Sequence, residues 1–297
     1  SPTVSDVTMG IPLTLRAADQ ADRAASQAGI EVRPLKTNAD LDRVAALFCE
    51  IWDTPVGEVP ISPHLLRALE LAGNYLAGAF DPAGGLVGAS VAFATVSDPV
   101  ELHSHITGVG RTHRGGVGYA LKLDQRAWAL AHGICVVTWT FDPLVRRNAF
   151  FNLAKLGAVA DSYLENVYGE MTDGLNAGVE SDRLFLRWHL DSGPVDAAAG
   201  GSRLVVAGTS GLPARLRPGP DGAPVLGDVT RGGPFLVRTP PDIEALRWAN
   251  PGLGRDWRLA SRLALEESLA TGITVSGVTE DGDYVMRPSA LPGAEQR

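Results

Sequence analysis

The stretch ELHSHITGVGRTHRGGVGYALK, residues 101–122, decides how the rest of the chain is read. Glu101 to Val109 reads as a strand, on which His103, His105, Thr107 and Val109 alternate onto one face. The chain then crosses a turn holding Gly115, Gly116 and Gly118, and YALK opens a helix with Ala120, Leu123, Ala127 and Leu130 at spacings of three and four. That helix closes at Gly133 and gives way to a second strand, ICVVTWTFD. The unit is therefore strand, glycine turn, helix, strand.

Upstream, a helical pattern over Ala17–Gln27 stops at Gly29, and IEVRPL reads as a strand. Asn38 and Asp40 are candidate N-caps for an amphipathic helix running to Trp52, and Ser62-Pro63 starts another that ends at Gly73. NYLAGAF and LVGASVAFATV read as strands joined by the turn DPAGG. Downstream come a helix around RRNAFFNLAKLGA and strands at VADSYLENVY and DRLFLRW. DSGPVDAAAGGS, residues 191–202, reads as a linker. Beyond it lie strands near LVVAG, PVLGDV and FLVRT, helices near DIEALRWA and DWRLASRLALEESLA, and closing strands ITVSGV and DYVMR. The expected division is an N-terminal segment, 1–29, partly disordered or helical; an α/β core, 30–190; the linker; and an α+β extension, 203–297.

Composition narrows the partners. Hydrophobic residues at 45% and charged residues at 20% place the 297-residue chain among globular proteins, with no run able to span a bilayer, so a cytoplasmic location and no membrane partner are expected. A net charge of −8 argues against nucleic acid, whose phosphates need a basic surface. Cys49 and Cys135 have no metal-ligand spacing and are expected to be buried thiols. No metal is implied.

Backbone N–H groups converging at a glycine turn on a helix N-terminus suit an anion. The dinucleotide fingerprint GxGxxG and the P-loop GxxxxGK[ST] are both absent here. The strand ending at Val109, the RGGVG turn, the helix beginning YALK, the strand ending TFD and the helix ending KLGA together resemble the acetyl-CoA-binding core of the GNAT acyltransferases. The strings LHSHITGV, TWTFDPLVRRNAFFNLAKLGA, YGEMTDGLN and SDRLFLRW, with FLVRTPPDI and WRLASR, resemble a narrower branch that includes amino-acid N-succinyltransferases. The resemblance implies a GNAT fold, an α/β architecture with a splayed mixed sheet, here followed by the α+β extension. It also implies acetyl-CoA or another acyl-CoA as co-substrate, and acyl transfer to the amine of a small molecule. Two positions depart from the family pattern: His113 stands where Gln or Arg is usual, and Leu153 stands where a tyrosine often protonates the leaving thiolate.

The resemblance also implies that the cofactor arm lies between the two splayed strands. Thr107, Gly108 and Val109 then offer backbone hydrogen bonds, Arg114, Gly115, Gly116, Val117, Gly118 and Tyr119 the pyrophosphate site, and Asn148 a further cofactor contact. An amine acceptor is mostly protonated at neutral pH and needs a base, for which His105 is the candidate against a structural role. Tyr168 is the candidate acid, against plain packing. Asp142, Glu165 and Arg183 are the candidates for an amino-acid substrate's charges; helix capping by Asp142 and a surface ion pair for Asp182 and Arg183 are the competing readings. Arg258 and Arg262, at i and i+4, can clamp an anion, but pairing of Arg262 with Glu266 explains one of them without a ligand. A non-catalytic acyl-CoA sensor, a nucleotide-binding module and a protein lysine acetyltransferase are the rival functions, and a homodimer is left open.

Overall fold

The two strands of the deciding unit lie side by side at the middle of a seven-stranded mixed sheet. In the computed structural model, which describes residues 11–54, 58–113, 115–169, 180–229 and 232–289, that sheet has the order β1-β2-β3-β4-β5-β7-β6. Its strands are β1 (Glu31–Pro34), β2 (Tyr75–Phe80), β3 (Leu86–Ala94), β4 (Leu102–Val109), β5 (Val136–Phe141), β6 (Val159–Leu164) and β7 (Arg183–His189). Every neighbouring pair is antiparallel except β4 and β5, which run parallel because helix α4 (Val117–Ala131) carries the chain across between them. The mixed α/β fold expected from the sequence is the one observed.

The helices cover both faces. On one side α4 packs through Val117, Ala120, Leu121 and Leu123, with α1 (Leu13–Gln27) laid against it by the small residues Ala17, Ala21 and Ala24. On the other, α2 (Asn38–Trp52) and α3 (Pro63–Leu71) bury Leu41, Val44, Phe48 and Leu66 beneath β2 and β3. Thr37 and Ser62 are the N-caps, accepting from the Asp40 and Leu65 amides. Asp40, itself a cap candidate in the sequence, sits instead in the first turn of α2.

After β5 the chain forms a short helix, α5 (Arg146–Ala149), that continues as a π-helical turn over Phe150–Lys155 and buries Asn152 and Leu153. Residues 191–202, read as a linker, contain α6 (Gly193–Ala199). Val195 and Ala198 are buried there, and Asp196 accepts hydrogen bonds from Arg16 of α1 and Arg126 of α4, so the segment is bonded into the core.

The C-terminal extension forms a second sheet, order β11-β12-β10-β8-β9, with α7 (Ile243–Ala249) and α8 (Pro251–Ala270). Its strands are β8 (Ala214–Pro218), β9 (Pro224–Leu226), β10 (Phe235–Val237), β11 (Ile273–Val278) and β12 (Tyr284–Pro288). Strand β8, ARLRP, alternates Ala214 and Leu216 with Arg215 and Arg217 but is short, preceded by Pro213 and ended by Pro218, and it was not expected from the sequence. One apolar cluster runs from Trp139 and Trp188 of the first sheet to Trp257, Tyr284 and Met286 of the extension, so both sheets share a core. Among the described residues no helix is long and apolar enough to cross a membrane, and no group of His, Cys, Asp and Glu side chains could hold a metal ion. The expectation of buried thiols fails: Cys135 is exposed and Cys49 half-buried.

Candidate functional site

Strands β4 and β5 pair only near their N-terminal ends, at Leu102↔Val137 and His103↔Thr138. Beyond those pairs Ser104–Val109 and Trp139–Phe141 run on without pairing to each other, while β3 and β7 keep their outer sides occupied. Half the amides of a strand point to each side, so the gap is lined by main-chain groups of β4 with no strand partner.

The glycine turn lies at the open end of this gap. Gly116 is the N-terminal cap residue of α4 with φ +89°, a conformation that favours glycine. A Cβ at Gly115 would meet nothing within 4 Å, and one at Gly118 would meet only Val109 Cγ2 at 3.7 Å, so these backbones are open to an approaching group. The first amides of α4 carry no side-chain cap, which leaves them for an anion or water. Arg114 lies outside the described residues. Val117 is buried core, and Tyr119 turns away from the turn to donate its hydroxyl to the Ala198 carbonyl at 2.6 Å, so its side chain is spent on tethering α6. Only the main chain of these two can serve a ligand. Asn148 is exposed on α5.

The regular alternation expected along β4 is broken. Pairing with β3 runs Val91↔Ile106 and then Ala92↔Ser104, so His105 is the extra residue of a β-bulge. The bulge puts Ser104 and Thr107 on the same side, toward α4, where Thr107 Oγ1 meets Ser90 Oγ at 2.8 Å and Ser104 Oγ accepts from Lys122. His103 and His105 therefore do not share a face with Thr107; both approach the ring of Phe93, at 5.4 and 5.9 Å. His103 Nδ1 is 3.1 Å from Thr138 Oγ1 across the last paired position. Burial lowers the pKa of both imidazoles, and for His103 the charges of His105 and Lys122 lower it further. Gly108 is required for another reason than ligand approach: a Cβ there would stand 2.8 Å from Trp52 and 2.9 Å from Ile51 of α2.

Tyr168 is exposed after β6, and its hydroxyl is 3.0 Å from Thr140 Oγ1 of β5. Strand alternation places Thr140 on the same face as Thr138, the partner of His103. Two of the substrate candidates form ion pairs with the C-terminal helices. Asp142 is buried at the end of β5, where its Oδ2 accepts from Arg247 Nη2 at 3.0 Å and Arg258 Nη2 at 2.7 Å, and its Oδ1 accepts from the Leu144 amide. Burial alone would raise its pKa, but the two guanidiniums outweigh burial and hold the carboxyl well below the usual range. Glu165 is bound by Arg262 Nη1 at 2.6 Å. Asp142 is thus committed to α7 and α8, whereas Glu165 is exposed and pairs with α8 alone.

Arg183 is buried at the start of β7, donates to the Asp182 carbonyl, and lies with its guanidinium 5.8 Å from the Tyr168 ring. Asp182 is fully buried and held bidentately by Arg262, so a surface ion pair describes neither residue. Arg258 and Arg262 do clamp carboxylates, but those of Asp142 and of Asp182, Glu165 and Glu180; the expected pairing of Arg262 with Glu266 is replaced by these.

One residue near the gap was not singled out from the sequence. Lys122 of α4 is buried, with Nζ 2.8 Å from Ser104 Oγ, 3.0 Å from Gln125 Oε1 and 3.9 Å from the centre of the Trp139 ring. Burial lowers its pKa to about 7.

No family model matches the sequence, and no curated protein matches it. Among solved structures, a GNAT-family acetyltransferase from Streptococcus pneumoniae is similar at 16% identity and TM-score 0.43, over 53% of this chain and 97% of that one. YncA from Salmonella typhimurium, solved with its cofactor acetyl-CoA, is similar at 16% identity and TM-score 0.44, over 55% and 95%. The ribosomal-protein-S18-alanine N-acetyltransferase from Escherichia coli is similar at 13% identity and TM-score 0.43, over the same shares.

Proposed function

We propose that the chain is an acyl-CoA-dependent N-acyltransferase that moves an acetyl or succinyl group to the amine of a small molecule such as an amino acid. The observation that carries the reading is the parting of β4 and β5 beyond His103↔Thr138, with the uncapped glycine N-terminus of α4 at the open end of the gap. An anion at that helix end and an extended arm in the gap would use the same main-chain donors.

Acyl-CoA supplies an activated thioester when bound. The chain's own part is to place the acceptor and move a proton. Bulged His105 is half desolvated, and its lowered pKa keeps the imidazole neutral and able to accept a proton near neutral pH. Main-chain donors of β4 can hold the thioester carbonyl. Tyr168, beside Thr140, is the candidate donor toward the departing sulfur. Arg183 is retained as the candidate for an acceptor's carboxylate because it faces the Tyr168 ring.

The test is Gly118→Val. No atom of the protein obstructs a Cβ at Gly118, and valine is no worse a helix former than glycine, so the fold should persist. The acyl-CoA Kd should rise about 10–100-fold while the unfolding midpoint stays within a few degrees. Gly116 is the poorer choice, because its positive φ would strain any replacement. Unchanged acyl-CoA affinity in folded Gly118→Val would remove the turn from the site. Thiol release from acetyl-CoA and succinyl-CoA, measured against amino acids, polyamines and a lysine peptide, identifies donor and acceptor.

A further inference from the structure

A buried lysine with no carboxylate against it is costly, and Lys122 is one among the described residues: it is 4% exposed, and it donates to the neutral groups of Ser104 and Gln125. Its Nζ lies on the α4 side of the first sheet, where β4 and β5 stop pairing. Three directions are filled, by Ser104 Oγ on β4, Gln125 Oε1 on its own helix and the Trp139 ring on β5. An ammonium has three donors and a charge to offer an aromatic face; a neutral amine has two donors and no charge.

The connections reach further. Gln125 Nε2 is 3.3 Å from Ser90 Oγ, which in turn is 2.8 Å from Thr107 Oγ1. Ser104 and Thr107 stand on either side of the bulged His105 and Ile106. A single side chain of α4 thus ties the strand down just before the bulge and, through Gln125 and Ser90, just after it. The same helix begins at the glycine turn, so the main-chain donors of the bulge and the helix N-terminus are referenced to one rigid element.

We propose that Lys122 is the positioning residue of the acyl-transfer site, an ammonium that fixes both flanks of the β4 bulge to the helix whose N-terminus faces the anionic end of the acyl donor. This inference rests on the acyltransferase reading above. It gives Lys122 no contact with substrate. Its work is to keep the β4 donors and His105 in register with the thioester, where a displacement of about 1 Å can cost about 100-fold in rate. The lowered pKa of about 7 makes the arrangement pH-dependent, because the ammonium holds all three partners and the amine releases one. Around it, β3 presents Ser90 and β5 presents Trp139. Asp124 and Arg126 of its own helix are turned to Tyr75 and to Asp196, and the perturbed neighbour is His103, on β4.

The experiment uses the full chain and compares wild type, Lys122→Met and Ser104→Ala. Acyl-CoA Kd is read by calorimetry, and kcat by thiol release with saturating amine from about pH 6 to about pH 10. Wild-type kcat should fall as pH rises through Lys122's titration. Lys122→Met should lower kcat about 10–100-fold at neutral pH, leave acyl-CoA Kd within about threefold, and lose that alkaline fall. Ser104→Ala keeps the titrating amine, so it should show a smaller loss with the alkaline fall retained, and it serves if Lys122→Met does not fold. Unfolding of the wild type should also become harder as pH rises from about 7 toward the ordinary lysine value, because in that window the unfolded chain holds the proton that the folded one has lost. That slope should vanish in Lys122→Met.

The proposal is overturned if folded Lys122→Met or Ser104→Ala keeps wild-type kcat, if the loss lies wholly in acyl-CoA affinity, or if the alkaline fall survives in Lys122→Met. No thiol release from the wild type with any donor and amine would instead sink the acyltransferase reading itself.

Discussion

Replacing Asp142 with alanine is expected to destabilise the protein by about 3–5 kcal/mol, the cost of removing one partner from a buried ion pair. The carboxylate is 7% exposed and shares one oxygen between Arg247 of α7 and Arg258 of α8. Those guanidiniums are themselves 8% and 3% exposed, and Arg258 Nε and Nη1 and Arg247 Nε already lack a hydrogen-bond partner. Without Asp142 two buried guanidiniums lose the carboxylate they share. The loss should concentrate where the extension meets the first sheet, so hydrogen exchange in α7 and α8 should quicken before that of α4. Asp142→Asn keeps the cap on the Leu144 amide and an acceptor for one arginine, and should cost less than alanine. The wild-type contribution is that of a carboxylate with depressed pKa: it is fully present above the ordinary aspartate value of about 3.9 and is lost as pH falls below it. Urea unfolding measures all three proteins. A cost below about 1 kcal/mol for the alanine variant would falsify the assignment of this ion cluster as the joint between core and extension.

The same cluster shows what a single sequence can and cannot disclose. Elements with local signals were legible: the helix ending before Gly29, the DPAGG turn closed by Asp81 accepting from Ala83 and Gly85, and α7 capped by Asp242. The glycine turn was legible because its residues are contiguous. Asp142 is far in the chain from Arg247 and Arg258, and nothing near it marks either, so Asp142 reads as a substrate residue or a helix cap and Arg258 as one of two arginines able to clamp an anion. The bulge at His105 was invisible for a related reason. HSHIT alternates as regularly as any strand, and only its register against β3, Val91↔Ile106 then Ala92↔Ser104, moves Thr107 to the other face from the histidines. Lys122 escaped notice because a lone lysine on an amphipathic helix reads as solvated. Its burial depends on Ser104 and Trp139, two strands that the helix itself connects. Sequence patterns find elements, whereas the chemistry of this site lies in how β3, β4, β5 and α4 meet.

His105→Ala should lower turnover by about 10²–10⁴-fold, the range for loss of a general base, with acyl-CoA affinity unchanged because the glycine turn is untouched. A small-molecule amine must give up a proton to attack, and an imidazole with its pKa lowered by burial is neutral over most of the range in which such an enzyme would work. The bulge matters because it takes His105 out of regular pairing with β3 and leaves it more exposed than His103. His103 is the control. It lies on the same face at a similar distance from Phe93, but its Nδ1 is engaged by Thr138 and its ionisation is further suppressed by Lys122. Both alanine variants should be profiled over pH with saturating acyl-CoA. In the wild type the acid limb of kcat/KM for the amine should bend below the ordinary histidine value of about 6.5, and in His105→Ala it should disappear. His103→Ala should keep the limb below about 6.5, since the His105 pKa is lowered by burial and not by a charge on His103. If His105→Ala retains both wild-type turnover and the acid limb while His103→Ala loses them, the proton leaves through His103 and Thr138, at the closed end of the gap rather than at the bulge.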